Sequence, residues 1–139
     1  MQKAKRYLPD FLFICYLAVL LRITVFRGDF GANPLFGGAV YFSLFTDYIE
    51  MLAAGKWRSF LYLFFGNIGW FVPFGFYMRR RLHRSCPQTL ALGLLLSLCI
   101  ESLQFIFSTG LSEADDLILN TGGAWLGWLL EKCAPHGKN

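Results

Sequence analysis

The sequence predicts an all-α integral membrane protein, a four-helix bundle with an interfacial segment between its first two spans. Three observations carry this. The chain is 55% hydrophobic and only 16% charged, with 15 Phe and a mean hydropathy of +0.45, more apolar surface than a soluble domain of this size buries. The charged residues cluster, which leaves long uncharged runs between them. The polar residues inside those runs recur at helical spacing. A length of 139 residues has room for one domain, 1–139.

Lys3, Lys5 and Arg6 form a basic flank, and span one follows at about 8–26, with Asp10 near its start and Arg22 near its end. About 20 apolar residues cross a hydrocarbon core, so the length suffices. No small-residue cleavage site follows, so a retained span is expected rather than a removed signal peptide. Phe13 and Ile14 are too bulky for a lipid-attachment box before Cys15. Residues 27–59 form a mixed loop that opens on the turn-rich GDFGANP. Its middle, 35–51, is aromatic and carries Asp47 and Glu50. The expectation there is a short interfacial helix over the outer mouth of the bundle, not a crossing.

Span two, about 60–77, contains Asn67 and ends near Pro73, Phe74 and Gly75. The strongest basic run follows it, Arg79, Arg80, Arg81, His83 and Arg84. Span three is about 89–107. The turn 108–116 holds three acids and no Lys or Arg, and span four, about 114–130, is short and glycine-rich. Lys132 and Lys138 close the chain.

With the N-terminus inside, the inner segments hold Lys3, Lys5, Arg6, Arg79, Arg80, Arg81, Arg84, Lys132 and Lys138. The outer segments hold Arg27, Lys56 and Arg58, nine against three. Both termini are therefore expected in the cytoplasm and the acidic turn outside. The net charge of +4 belongs to these flanks, so no nucleic-acid partner is expected. The four cysteines lack metal or redox spacing, and neither cofactor nor metal is expected. The oligomeric state is not encoded legibly.

This topology puts Asn67, Glu101 and Asn120 about 9–10 Å below the outer surface, and Arg22 about 6 Å, at ~1.5 Å rise per residue. Four spans thus place their unusual polar residues in one outward-facing layer. Glu101 and Gln104 share a helix face below Gly93 and Ser97, and Asp116, Asn120, Gly123 and Gly127 form a second polar and small stripe. Such stripes point at protein rather than lipid.

Burying the Glu101 carboxylate costs at least ~2.5–3.5 kcal/mol, so it must be protonated, paired or hydrated. Two readings stand. In one, Glu101 is a proton donor, proton acceptor or cation ligand oriented by Gln104 and Asn120. In the other, it is a buried partner that locks Arg22 of span one to span three. Asp115 reads as a cap of span four and Asp116 as facing the layer. Gly123 and Gly127 read as helix packing, with Gly75. Pro73 is read as a kink or helix end, and His83 and His136 are assigned no role. No nucleophile triad or phosphate loop is present.

NIGWFVPFG (Asn67 to Gly75), SLCIESLQ (Ser97 to Gln104) and EADDLILNTGGAWLG (Glu113 to Gly127) resemble, in order, the three motifs of the VanZ-like family of bacterial membrane proteins. The resemblance covers about 27–131. It departs from the family where many members carry an arginine before the Asp, for which this chain has Leu111 or its neighbours. By position, it implies marked roles for Asn67, Pro73, Phe74, Gly75, Glu101, Gln104, Asp116, Asn120, Thr121, Gly123 and Gly127.

It also implies low-level resistance to teicoplanin-type glycopeptides. The expected partners are then the lipid bilayer and a cell-envelope precursor or glycopeptide-related ligand. The function classes left open are a binding or accessory protein of the envelope, an enzyme using Glu101 and Asp116 on a lipid-linked or peptidoglycan substrate, and a purely structural protein.

Overall fold

The structure, a computed structural model, describes residues 2–134, with side chains from residue 6 onward. Lys138 and His136 lie outside the described residues, as do the side chains of Lys3 and Lys5. The elements run α1 (Gln2–Thr24), β1 (Ala39–Tyr41), α2 (Thr46–Ala53), α3 (Trp57–Arg80), α4 (Cys86–Phe107), β2 (Leu111–Glu113) and α5 (Ala114–Cys133). Strands β1 and β2 pair in a two-stranded sheet.

The chain is mostly helical, and three described helices are long and apolar enough to cross a membrane: α1 over Arg6–Thr24, α3 and α4. Their apolar faces stay exposed, as at Phe11, Ile14, Tyr62 and Leu95. That suits lipid and is costly in water. Helix α5 is 20 residues long, but Asp115, Asp116 and Lys132 sit in its end turns, which shortens its apolar stretch. The stretch 35–51, expected as a short helix, holds one only from Thr46 onward, the eight-residue α2, with β1 before it. Helix α3 continues through Pro73.

Local chemistry sets the helix ends. Arg79 and Arg80 lie in the last turn of α3, where the helix dipole favours cations. The Ser85 amide donates to Gln88 Oε1 at 3.1 Å, the returning half of a capping box before α4. Pro87 then falls in the first turn, where its missing N–H costs nothing.

The chain divides into two compact units. The first is Met1–Val40 with Ile100–Ser112; the second is Tyr41–Cys99 with Glu113–Asn139. In the second unit, α3 and α5 run parallel at close quarters. Gly123 packs on the Ile68 carbonyl, Gly127 on Val72 and Gly75 on the Ala124 carbonyl, and a Cβ on any of them would collide with that backbone. The small stripe is what lets the two backbones approach. The first half of α4 runs antiparallel to α5. Gly93 meets Ala124, where an added Cβ would lie 2.8 Å from the Ala124 methyl, and the Trp128 indole donates to the Arg84 carbonyl at 3.0 Å.

In the first unit, the loop 33–38 is stapled to the end of α4. Phe36 donates to the Ile106 carbonyl at 2.8 Å and Gly38 to Phe105 at 3.3 Å. Phe26, Phe30 and Phe107 cluster beside it, their rings edge-on or tilted to one another.

Candidate functional site

Helix α3 supplies Asn67, one turn before Phe71 begins the helix's buried face. Its Nδ2 donates to Asp116 Oδ1 at the start of α5, and the same nitrogen lies 3.5 Å from the Tyr48 hydroxyl. An amide nitrogen carries two hydrogens, so one Asn67 serves both acceptors. Tyr48 comes from α2, is only 5% exposed, and is boxed edge-on by Phe60 and Phe64. Burial first, then the charges of Asp116 and Glu113, push its hydroxyl above the usual tyrosine range, so it stays protonated. Carboxylate, amide and phenol therefore form one linked group in the second unit.

One turn along α5, Asn120 Nδ2 donates to Ser97 Oγ of α4 at 2.9 Å, and both residues are buried. Asp116, Asn120, Gly123 and Gly127 do share a face, but its partners differ: Asn67 and the α3 backbone for three of them, Ser97 for Asn120. The Thr121 hydroxyl is buried without a hydrogen-bond partner among the described residues.

Asp115 does not cap its own helix. Glu113 is the N-cap of α5 and makes no side-chain cap bond. Both Asp115 oxygens instead accept from the Phe45 amide, at 3.0 and 2.9 Å. Phe45 is the N-cap of α2 and holds a left-handed conformation at φ 56°. Asp115, 3% exposed, thus ties the start of α2 to α5. The physical reason is competition: an incoming chain with a strained, unsatisfied amide takes the carboxylate that a helix terminus leaves to water.

Burial, followed by Asp47 and Asp115, also holds the Glu113 carboxyl above its ordinary range. Among the described residues, no group of three or more His, Cys, Asp or Glu is placed to hold a metal ion.

The first unit holds the other expected acid. Glu101 and Gln104 are 6% and 8% exposed on α4. With its amide nitrogen turned to the carboxylate, Gln104 lies 3.2 and 3.1 Å from the two Glu101 oxygens. In the opposite orientation that nitrogen donates to the Thr24 carbonyl of α1 at 3.3 Å, so one amide serves one acceptor at a time. Ser112 Oγ donates to the Glu101 backbone carbonyl at 2.8 Å and closes the turn over the helix end.

Of the two readings of Glu101, the pairing with Arg22 is not formed among the described residues. Arg22 is exposed, and its Nη1 donates to the Phe26 carbonyl one turn on. A long side chain near a helix C-terminus finds unsatisfied carbonyls at lower cost than a buried acid.

Sequence reasoning missed two residues of the second unit. Tyr48 lies in a stretch whose aromatic content read as interfacial wall. Glu131, 2% exposed, meets Arg79 Nε at 2.7 Å and Arg80 Nη1 at 3.4 Å. Arg79 also lies over the Trp128 ring, 4.2 Å from its centroid. A lone acid one helix away from a basic run was the available signal.

Residues 13–134 match the family model described as VanZ/LLP1. The chain is 28% identical to "Protein VanZ" of Enterococcus faecium over 113 residues, which is 81% of this chain and 66% of that protein. It therefore spans just under two thirds of the length of that relative. No solved structure matches the chain. The ordered Asn67, Glu101-to-Gln104 and Asp116-to-Gly127 segments all lie inside the matched region, and the chain belongs to the VanZ/LLP1 family.

Proposed function

We propose that this chain is a multi-pass protein of the bacterial cell membrane, with both termini cytoplasmic, that lowers susceptibility to teicoplanin-type glycopeptides. It does so by acting on a cell-envelope component through outward-facing polar groups within the membrane. The observation that carries the reading is the Tyr48–Asn67–Asp116 group, a hydrogen-bonded acid inside otherwise apolar helices of a VanZ-family chain. Ionisable groups held in such surroundings are expensive and mark binding or proton-transfer sites. In the second unit Asp116 is the group that meets a polar headgroup, held by Asn67; in the first, Glu101 is the acid, held by Gln104.

A second reading makes Asp116 a general acid–base group toward a lipid-linked or peptidoglycan substrate. The phenol and carboxylate joined through Asn67 favour it, because a protonated donor and a potential acceptor then stand side by side.

The test expresses the wild-type chain, Glu101→Gln and Asp116→Asn in a susceptible host. Teicoplanin susceptibility is measured together with lipid and muropeptide profiles. The wild type raises the tolerated concentration, and each amide variant accumulates normally yet loses that gain. A profile changed only by the wild type selects the enzyme; an unchanged profile selects binding. Undiminished resistance in both variants defeats either reading.

A further inference from the structure

The first unit contains a cleft of about 480 Å3 between the loop that follows α1 and the turn that follows α4. Small-molecule sites fall in this size range. Its walls are built rather than loose. Ser108 holds φ 52° without being glycine; its Oγ accepts from the Gly37 amide at 2.9 Å and donates to the Pro34 carbonyl at 2.6 Å. Asn33 Nδ2 donates to the Ser108 carbonyl at 3.1 Å. Phe36, also left-handed at φ 59°, is pinned by its bond to Ile106. Two non-glycine residues held in a costly conformation beside one cleft is the pattern of a positioned site.

Two charges line it. Arg27 Nε lies 3.5 Å from Asp29 Oδ1, and each side chain is 46% exposed. The guanidinium rests against the turn because position 110 is glycine: a Cβ there would lie 2.8 Å from Arg27 Nη2. The Nη groups have no other partner among the described residues. A plain anion entering the cleft meets Asp29, and a plain cation meets Arg27. A ligand that carries both charges offends neither. Its oxyanion takes the planar Nη edge, which suits phosphate and carboxylate oxygens, while its ammonium meets Asp29.

We infer that the Arg27–Asp29 cleft binds a zwitterionic phosphoethanolamine-type group, an oxyanion joined by a short linker to a primary ammonium. The cleft stands at the C-terminal ends of α1 and α4, two membrane-length helices, where headgroups lie. It shares no residue with the polar groups of the proposed function and goes beyond that reading. The same chemistry is carried by a phosphatidylethanolamine headgroup and by free phosphoethanolamine.

The test titrates the purified full chain in neutral detergent with phosphoethanolamine, ethanolamine and inorganic phosphate, by calorimetry. A parallel series uses nanodiscs of phosphatidylcholine doped with phosphatidylethanolamine or phosphatidylglycerol. Phosphoethanolamine, free or as lipid, is expected to bind about tenfold more tightly than either half alone or the anionic lipid. Arg27→Gln and Asp29→Asn each remove that advantage, and Asp29→Asn strengthens phosphate. Binding only in nanodiscs assigns the lipid source; binding only in solution assigns the free one. Phosphate binding as tightly as phosphoethanolamine, or no binding in either series, overturns the proposal. The comparison among probes on the wild type decides even where a variant fails to fold.

Discussion

Glu131 carries the clearest single-residue prediction, because its burial and its partners are unequal. At 2% exposure it must be paired, and Arg79, the closer and less exposed of its two arginines, does most of that work. Glu131→Ala strands the Arg79 guanidinium and should destabilise the chain by ~1–3 kcal/mol, the range for leaving a buried polar group unmatched. Arg80→Ala should cost under about 1 kcal/mol, because an exposed pair contributes little. Unfolding in detergent micelles measures both, and equal losses would contradict the assignment. At this scale the sequence exposed the groups whose spacing is helical: Asn67, Asp116, Asn120, Glu101 and Gln104 all stood out as polar residues in apolar runs. It concealed those whose role depends on a remote segment. Asp115 serves Phe45, 70 residues away, and Tyr48 reaches Asn67 from the short helix α2, whose approach to α3 no periodicity encodes. Depth alone brings Arg22 and Glu101 to one layer, yet a local carbonyl, that of Phe26, takes the guanidinium.

Between elements, the α3–α5 contact depends on hydrogen rather than on side chains at the crossing. Gly123→Ala or Gly127→Ala drives a methyl into the Ile68 or Val72 carbonyl, and overpacking of this kind costs ~1–3 kcal/mol. Gly122→Ala meets nothing within 4 Å and should be neutral or stabilising by up to ~1 kcal/mol, from helix propensity. A set of melting curves in which Gly122→Ala is the most harmful would refute this packing. The join between α2, β2 and α5 has a pH signature instead. The Glu113 carboxyl is held above its ordinary 4.5 by burial, then by Asp47 and Asp115, so the fold favours its neutral form. That contribution is complete below the ordinary value and is lost as pH rises through the raised one. Wild-type stability should therefore fall more steeply than that of Glu113→Gln as pH is raised from about 4 toward neutrality; parallel curves would discount the effect. The helices were legible because 18 or more apolar residues admit few alternatives. Strand β1 and the late start of α2 were not, since three-residue strands carry no period to read.

For the whole chain, composition and packing pull in opposite directions on whether α5 crosses the membrane beside α3. Composition leaves it short: its acids and Lys132 confine the apolar stretch to the middle of a 20-residue helix. Packing argues the other way. Asn67 meets Asp116, Ile68 meets Gly123, Val72 meets Gly127 and Arg79 meets Glu131, so α5 lies parallel to α3 within one unit, start beside start and end beside end. A helix in that register is expected to reach the same two sides as its neighbour, with its polar stripe covered by protein rather than by lipid. Under the positive-inside bias, the basic run after α3 is expected on the cytoplasmic side. The end of α5 should then be cytoplasmic too. A phosphatase or fluorescent reporter fused after Lys138 should report the cytoplasm, while one inserted at Ser112 reports the outside. If α5 instead lay along the surface after only three crossings, both sites would report the outside. An external reading at Lys138 would therefore remove the fourth span, and with it the outward-facing placement of Asp116 and Asn120 on which the proposed function rests.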